Sequence, residues 1–187
     1  LPRKFKFAVT GAADDRAAIK FHDIGIWAKV DDGGQPIFDV YVGGGQGRTP
    51  RVAKLFESAV PLADLMPLMD AMLRVYNLHG RRDNKYKARI KILVEELGLE
   101  NYRDEVKAEL AGIDRAPFAT VEAEYARIKD AFEEGTPGMA PGEAIDLSAA
   151  DPAFKGWVKT NIAAHGVPGW AIAQISVKPK GGIPGDV

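Results

Sequence analysis

The sequence predicts an α+β fold, with a sheet in the first third of the chain and helices after it. Runs rich in β-forming residues come first and segments of helical periodicity follow, without the strict alternation typical of parallel α/β proteins. The chain has 187 residues, of which 46% are hydrophobic and 27% are charged, close to ordinary globular composition. We therefore expect a folded domain with a buried core rather than a disordered chain.

The predicted sheet begins near the first residue. Residues 3–9 alternate in character, so that in a strand Lys4 and Lys6 share one face. Two further β-rich runs, 24–30 and 37–42, are separated by a segment containing Asp-Asp-Gly-Gly, which favours a turn. The N-terminal sheet is therefore predicted to contain a first strand and a hairpin, in a mixed or antiparallel arrangement.

Helical periodicity starts after the sheet. Asp64 is the predicted N-cap of the first helix, because this keeps Pro67 in the first turn, where proline is tolerated. Gly98 is predicted to end the second helix, since glycine is favoured just past a helix C-terminus. The predicted helices cover residues 62–76, 83–98, 102–110 and 121–132.

A run rich in proline and glycine divides the chain. We expect a domain over residues 1–134, a linker over 135–150 and a further, truncated unit over 151–187. Asp151 is a predicted N-cap of a helix in that unit, and residues 170–177 are predicted to form a last strand that has no partner. Both ends of the chain are expected to be cut from a longer protein.

Charge balance and cysteine content exclude several classes of site. Lys and Arg number 25 against 26 for Asp and Glu, a net charge of -1, so no bulk attraction favours nucleic acid or a membrane surface. There is no Cys, and therefore no thiolate ligand for zinc or an iron–sulfur cluster. No run approaches the roughly 20 apolar residues of a membrane helix, so we expect a cytoplasmic protein with neither a nucleic-acid nor a membrane partner.

One segment concentrates positive charge. Between Arg81 and Lys91, eleven residues carry six cations and one carboxylate. This is either a solvated helix face, supported by acidic residues one turn beyond, or a clamp for a polyanion, because arginine binds carboxylates and phosphates in a bidentate manner. The sequence leaves both interpretations open.

Lys4 and Lys6 form a second cationic feature. Two ammonium groups roughly 6–7 Å apart on one strand face repel each other unless an anion or water lies between them. The pair therefore suits a small anion, although lysines also blunt exposed sheet edges. Neither interpretation is favoured by the sequence.

A glycine-rich run follows the predicted hairpin. Residues 43–48 either let a backbone approach a ligand closely, with Arg48 supplying charge, or form a tight connection without a ligand. The spacing matches no dinucleotide or phosphate-loop motif. His22, His79 and His165 are scattered, and no G-x-S-x-G sequence occurs, so neither a metal site nor a hydrolase is expected.

Four motifs follow one another along residues 1 to about 110. They are Leu1-Pro-Arg-Lys-Phe-Lys-Phe-Ala-Val-Thr-Gly, His22-Asp-Ile-Gly, Tyr41-Val-Gly-Gly-Gly and Arg74-Val-Tyr-Asn-Leu-His-Gly-Arg-Arg-Asp-Asn-Lys-Tyr-Lys-Ala-Arg-Ile-Lys. Together these motifs resemble the sirohaem-dependent sulfite and nitrite reductases, specifically an internal part of the haemoprotein. The sequence after Gly166, Val-Pro-Gly-Trp-Ala-Ile, is similar to the start of the family's second ferredoxin-like half-domain.

This resemblance implies an oxidoreductase as the parent protein. In the family, sulfite or nitrite binds the iron of a sirohaem that a cysteine thiolate bridges to a 4Fe-4S cluster, and six electrons reduce it to sulfide or ammonia. The implied partners are the substrate, an electron donor (ferredoxin or a flavoprotein subunit) and the missing halves of the same chain. The implied fold is that of a nitrite/sulfite reductase 4Fe-4S domain.

The resemblance also implies roles for eight residues. Lys4 and Lys6 match two lysines that hold the substrate oxyanion and serve catalysis, and Arg3 in the same motif matches a contact to a sirohaem carboxylate. The basic run matches a segment that supplies cations to the macrocycle. The implied cofactor-binding residues are Arg3, Arg82, Asn84, Lys85, Lys87 and Arg89, with Lys85 first among those of the basic run.

Parts of the family pattern are absent. The cluster cysteines and the arginines that complete the substrate site do not occur in this chain, so we expect the isolated chain to be inactive and to purify without sirohaem or a cluster. Gln46 stands where an apolar residue is expected, and residues 111–150 match no motif. The alternative function is a stand-alone anion- or RNA-binding module that uses a basic helix at 81–91.

Overall fold

A computed structural model of the chain describes residues 1–133, 146–165 and 170–177. These residues fall into two units, Leu1–Phe132 and Glu133–Val187. Most of the predicted linker lies outside the described residues. Within the described part, no helix is both long enough and apolar enough to cross a membrane.

The first unit contains a four-stranded sheet. Its strands are ordered β1-β2-β3-β4; β1 is parallel to β2, and the other neighbours are antiparallel. The predicted hairpin is confirmed as β2 and β3, and a mixed sheet followed by helices confirms the predicted α+β fold. The strands are β1 (Phe7–Thr10), β2 (Ile24–Val30), β3 (Pro36–Val42) and β4 (Lys54–Pro61).

The first strand is shorter than predicted. It begins at Phe7, so the prediction that Lys4 and Lys6 share one face of a strand is wrong. The reason is a competing partner, because the backbone N–H of Lys6 donates to the carboxylate of Asp23 at 3.0 Å. The two lysines therefore lie on an extended segment that leads into the sheet.

The last strand of this sheet, β4, was not predicted from the sequence. Phe56 and Val60 are buried, but Ser58, which would share their face in a regular strand, is exposed, and this breaks the alternation that identifies a strand. The pairing between β3 and β4 shifts register, and Ala59 has a φ of 52°, as expected at a bulge.

Four helices complete the first unit, and each corresponds to a predicted helix, although the second is much shorter than predicted. The first begins directly after Pro61, so Asp64 lies in its first turn and is not the cap, and Pro67 lies in the interior of the helix. The second begins only at Ile90 and ends before Gly98, as predicted at that end. The helices are α1 (Leu62–His79), α2 (Ile90–Leu97), α3 (Leu99–Ala111) and α4 (Val121–Glu133).

Residues 81–89 form a loop, and the predicted basic helix over this range is wrong. The Asn84 side chain accepts a hydrogen bond from the N–H of Tyr86 at 2.9 Å, which competes with helical pairing. Arg89 has extended backbone, with ψ of 149°, immediately before α2. The cations of this segment therefore do not form one helical stripe.

The core of the first unit lies between the sheet and helices α1 to α3. Tyr76 and Tyr102 are fully buried, and burial raises the pKa of both phenols. The largest buried side chains that form this core come from all three helices and the sheet: Ile24, Val40, Val42, Phe56, Met72, Tyr76, Ile90, Tyr102 and Val106.

The second unit contains α5 (Pro152–Asn161), β5 (Ile162–Ala164) and β6 (Ala171–Ala173). The predicted cap is confirmed, since Asp151 accepts hydrogen bonds from the N–H groups of Ala153 at 2.8 Å and Phe154 at 3.1 Å. The predicted last strand is shorter than expected, and it does have a partner, because β6 pairs with β5 in an antiparallel manner.

Candidate functional site

Residues 3–6, called the N-terminal arm below, lie against residues 81–89, called the basic loop. The guanidinium of Arg3 donates to the backbone carbonyl of Lys85. The hydroxyl of Tyr76 donates to the carbonyl of Ala88 at 2.6 Å and lies 3.5 Å from that of Arg3. Segments about eighty residues apart in the sequence are thus brought together by helix α1, which carries Tyr76.

A second link between arm and loop passes through Asp23, which is fully buried. Its carboxylate accepts the N–H of Lys6 and two hydrogen bonds from Arg89, from Nε at 2.9 Å and from Nη2 at 2.6 Å. The carbonyl of Asp23 accepts the N–H of Gly43 at 3.0 Å. Asp23 therefore connects the arm, the basic loop and the glycine-rich run.

Three arginines of the basic loop are bound within the protein. Arg81 pairs with Asp83, and this hydrogen bond holds the pKa of the Asp83 carboxyl below its usual value. Arg82 donates to the side chain and carbonyl of Asn77, and Arg89 is held by Asp23. The charges of Arg81 and Arg89 are therefore neutralised by carboxylates. Arg82 is exposed and donates only to neutral oxygens, so its charge is not compensated.

The lysines of both segments point to solvent. Within residues 1–133, no carboxylate forms an ion pair with Lys4, Lys6, Lys85 or Lys87, and all four are exposed. Lys85 places its ammonium over the ring of Tyr86, 5.3 Å from the centroid. Together with exposed Arg82, these lysines are therefore charges that remain available to an anion.

The glycine-rich run packs against the protein's own backbone. A Cβ added to Gly44 would lie 2.4 Å from the carbonyl oxygen of Lys20 and 2.6 Å from that of His22. This close approach matches the interpretation of a tight connection. Arg48, in contrast, stands exposed on the loop that follows.

Lys91, the last cation of the basic run, is buried rather than solvated. Its ammonium donates to the carbonyls of Gln46 at 2.9 Å and Thr49 at 2.5 Å, which ties down the loop after the glycines. Burial, together with nearby Arg89, lowers the pKa of Lys91. Lys91 therefore has a structural role in holding the loop that follows the glycines.

The sequence did not single out Asp23 or Tyr76 as site residues. Both belong to motifs given above, Asp23 to His22-Asp-Ile-Gly and Tyr76 to the motif that starts at Arg74, and this was the signal available. Nothing local marks either side chain as a link between arm and loop. Among the described residues, no cluster of three or more His, Asp or Glu side chains could hold a metal ion.

Comparison with known proteins gives a consistent result over the same residues. The family described as "Nitrite and sulphite reductase 4Fe-4S domain" matches residues 1–113. The ferredoxin sulfite reductase of Synechococcus elongatus is 35% identical over 115 residues, 58% of this chain and 18% of that protein. The ferredoxin–nitrite reductase of Leptolyngbya laminosa is 35% identical over 116 residues, 59% of this chain and 22% of that protein.

A solved structure agrees with these relatives. The NirA protein of Mycobacterium tuberculosis superimposes with a TM-score of 0.53 at 29% identity, covering 59% of this chain and 20% of that one. The matched region covers between 18% and 22% of the length of these relatives, so the chain spans about a fifth of each.

Proposed function

The chain belongs to the nitrite and sulphite reductase 4Fe-4S domain family, and from this premise we propose that it forms the sirohaem-side part of an enzyme that reduces sulfite or nitrite. In this proposal, Lys4 and Lys6 hold the substrate oxyanion, and the basic loop contributes cations to the macrocycle. Because the relatives named above include both sulfite and nitrite reductases, the proposal covers either substrate.

One observation carries the proposal, namely the contact between the N-terminal arm and the basic loop. The hydrogen bond from Arg3 to the carbonyl of Lys85 brings the arm lysines and the loop lysines to one region of the surface. Their ammonium groups form no ion pair with a carboxylate among residues 1–133, so an incoming anion need not displace one. Several uncompensated cations on neighbouring segments favour an anion that bears many oxygens.

Sirohaem fits these residues, because its carboxylates match the available donors. Lys85 and Lys87 are exposed on the basic loop, and Arg3 keeps donors beyond the one that it gives to the loop carbonyl. Arg82 and Arg89 are less suited to a direct contact, since both guanidinium groups are bound by protein oxygens.

A 4Fe-4S cluster does not fit this chain, which has no Cys to supply thiolate ligands. Such a cluster would have to be held by other parts of the reductase. The electron donor, ferredoxin or an NADPH-linked subunit as in the relatives' names, is likewise proposed for the whole enzyme. The remaining ligands of substrate and sirohaem would come from the same parts.

The lysines are proposed to attract the anionic substrate by their charge and to donate protons to it. Sirohaem and the cluster, when bound in the whole enzyme, would carry electrons from the donor to the substrate. Lys4 and Lys6 bind the anionic substrate by charge-assisted hydrogen bonds, and their ammonium groups donate protons to oxygens that leave as water. Each of these steps needs the arm to be held in one place, which the contacts to the loop provide.

A stand-alone RNA-binding module is less well supported. The basic helix that it requires is a loop, and Arg81, Arg82 and Arg89 are committed to partners in the protein. Binding of RNA by the chain, with affinity that falls steeply as salt rises, would revive this alternative.

The test is replacement of Lys4 or Lys6 by Met in the sirohaem-loaded reductase that contains this segment. Methionine keeps most of the aliphatic stem and removes the charge and the proton donor. We expect turnover of sulfite or nitrite to fall by roughly 10²- to 10⁴-fold, with unchanged sirohaem absorbance. Lys107→Met, which removes an exposed lysine on α3, is the matched control and should leave turnover unchanged. Normal turnover in both lysine variants would remove them from the site.

A further inference from the structure

A buried carboxylate, Asp23, is joined to the proposed anion site without facing it. One carboxylate oxygen accepts from Nε of Arg89, and the other accepts from Nη2 of Arg89 and the N–H of Lys6. The residue is fully buried, so both oxygens are occupied by protein donors and the group is not open to a ligand. The contacts of Asp23 therefore position other protein groups and do not bind a ligand.

Arg89 is the partner of Asp23 in a largely buried ion pair. The side chain is 15% exposed and its charge is neutralised by Asp23. A paired, largely buried guanidinium offers an incoming anion much less attraction than a free one. Arg89 was predicted as a cofactor-binding cation, yet its contacts fix the end of the basic loop, where Ala88 is also bound by Tyr76.

We infer that Asp23 and Arg89 are positioning residues, which hold Lys6 and the basic loop at a fixed relative position and so set the spacing of the anion-binding lysines. This inference rests on the proposed function, because it names the residues that orient the proposed anion site. A buried ion pair contributes little net stability, since desolvation offsets most of the Coulomb attraction. Its contribution here is the fixed geometry of two segments that no regular secondary structure connects.

The chain contains a matched control for this device. Asp39 on β3 is 8% exposed and binds one cation, Lys29, and one backbone N–H, that of Ala59 at 3.1 Å. As with Asp23, its partners are one cation and one backbone N–H, although this cation gives one hydrogen bond rather than two. Asp23 directly precedes β2, which pairs with β3 in the same sheet. None of its hydrogen bonds reaches the N-terminal arm or the basic loop. Asp39→Asn therefore reports the cost of losing such a pair away from the site.

The test compares Asp23→Asn and Arg89→Lys with Asp39→Asn in two measurements. In Asp23→Asn, the new amide keeps one acceptor oxygen but cannot accept both the Lys6 N–H and the Arg89 fork, and Arg89→Lys keeps the charge without the bidentate contact. In the 187-residue chain, we expect hydrogen exchange at the Lys6 amide to speed up about tenfold or more in Asp23→Asn. Asp39→Asn should leave this amide as it is.

The second measurement is the steady-state reduction of sulfite by the sirohaem-loaded reductase. We expect kcat/KM to fall about tenfold or more in Asp23→Asn and Arg89→Lys, because lysines displaced by about an ångström bind the substrate and donate protons less well. Sirohaem absorbance should be unchanged, and Asp39→Asn should be normal. Arg89→Lys, the milder change, decides the question if Asp23→Asn does not fold.

Each outcome decides the inference. Faster exchange at Lys6 with normal kinetics, while Lys4→Met and Lys6→Met are slow, would make Asp23 a structural residue only and overturn it. An equal kinetic loss in Asp39→Asn would assign the effect to general instability and overturn it as well. Normal turnover in Lys4→Met and Lys6→Met would instead contradict the proposed function, and the positioning role of Asp23 and Arg89 would be contradicted with it.

Discussion

The β2–β3 hairpin and the basic loop are both turns with charged residues, but they are held in different ways. In the hairpin, the Asp31 carboxylate accepts the N–H of Gly33 at 2.9 Å and of Gln35 at 2.8 Å, all within four residues. The basic loop is held by Tyr76 and by Asp23, which is 66 residues from Arg89. Local chemistry determines the first turn, and tertiary contacts determine the second.

This difference explains why one turn was predictable and the other was not. An Asp-Asp-Gly-Gly segment carries its own turn preference, because the side chain of Asp bonds nearby backbone groups. The basic loop has helix-forming residues, and it is kept from being helical by its distant partners together with the local hydrogen bond from the Tyr86 N–H to Asn84. Changes that remove those partners should therefore affect the loop more than equivalent changes affect the hairpin.

The largest effect is expected for Gly80→Ala, at the junction of α1 and the basic loop. A Cβ at Gly80 would lie 2.5 Å from Cγ of Pro2 and 2.5 Å from the carbonyl oxygen of Tyr76. Either Pro2, which precedes the N-terminal arm, or the helix end must shift, so we expect a loss of about 1–3 kcal/mol in the free energy of unfolding. Urea denaturation measures this quantity.

The control for this change is Gly33→Ala in the hairpin turn. There an added Cβ meets only the Asp31 side chain, at 3.3 Å, which can move slightly. We expect a change within about 0.5 kcal/mol, as at ordinary surface positions. Equal losses at both glycines would contradict the view that the basic loop depends on close tertiary packing.

A smaller effect is expected for Tyr76→Phe, which removes the hydroxyl between arm and loop without creating a clash. The carbonyl of Ala88 then lies buried without its 2.6 Å donor. Because one buried acceptor is left unpaired and nothing clashes, we expect a loss of about 1 kcal/mol, the lower end of the usual cost, and faster exchange of amides in the basic loop. The hairpin control, Tyr41→Phe, should cost less than about 0.5 kcal/mol. Unchanged exchange in the loop would show that this hydroxyl does not hold it.

The sequence identified the elements whose signals are local. The hairpin, the cap at Asp151 and helices α1 and α3 follow from turn composition, capping and periodicity. Strand β4 was missed because a bulge near Ala59 breaks its alternation. For the site, the arm lysines and the basic run were found as motifs, whereas their arrangement depends on Asp23 and Tyr76, whose contacts span many residues.

The smallest effect concerns the pH dependence of the hairpin. Burial alone raises the pKa of Asp39, but the hydrogen bonds from Lys29 and Ala59 outweigh it, and the folded-state pKa lies below the ordinary value. A depressed carboxyl pKa stabilises the fold above the unfolded-state pKa of about 3.9, and this stabilisation is lost as pH falls through the folded-state value. We therefore expect the urea midpoint to fall between pH 7 and pH 3. Asp39→Asn should lower the midpoint at pH 7 and flatten its decline in acid, because the side chain no longer titrates. An acid decline equal to that of the unaltered chain would assign the pH dependence to other carboxylates and leave the hairpin held by its turn alone.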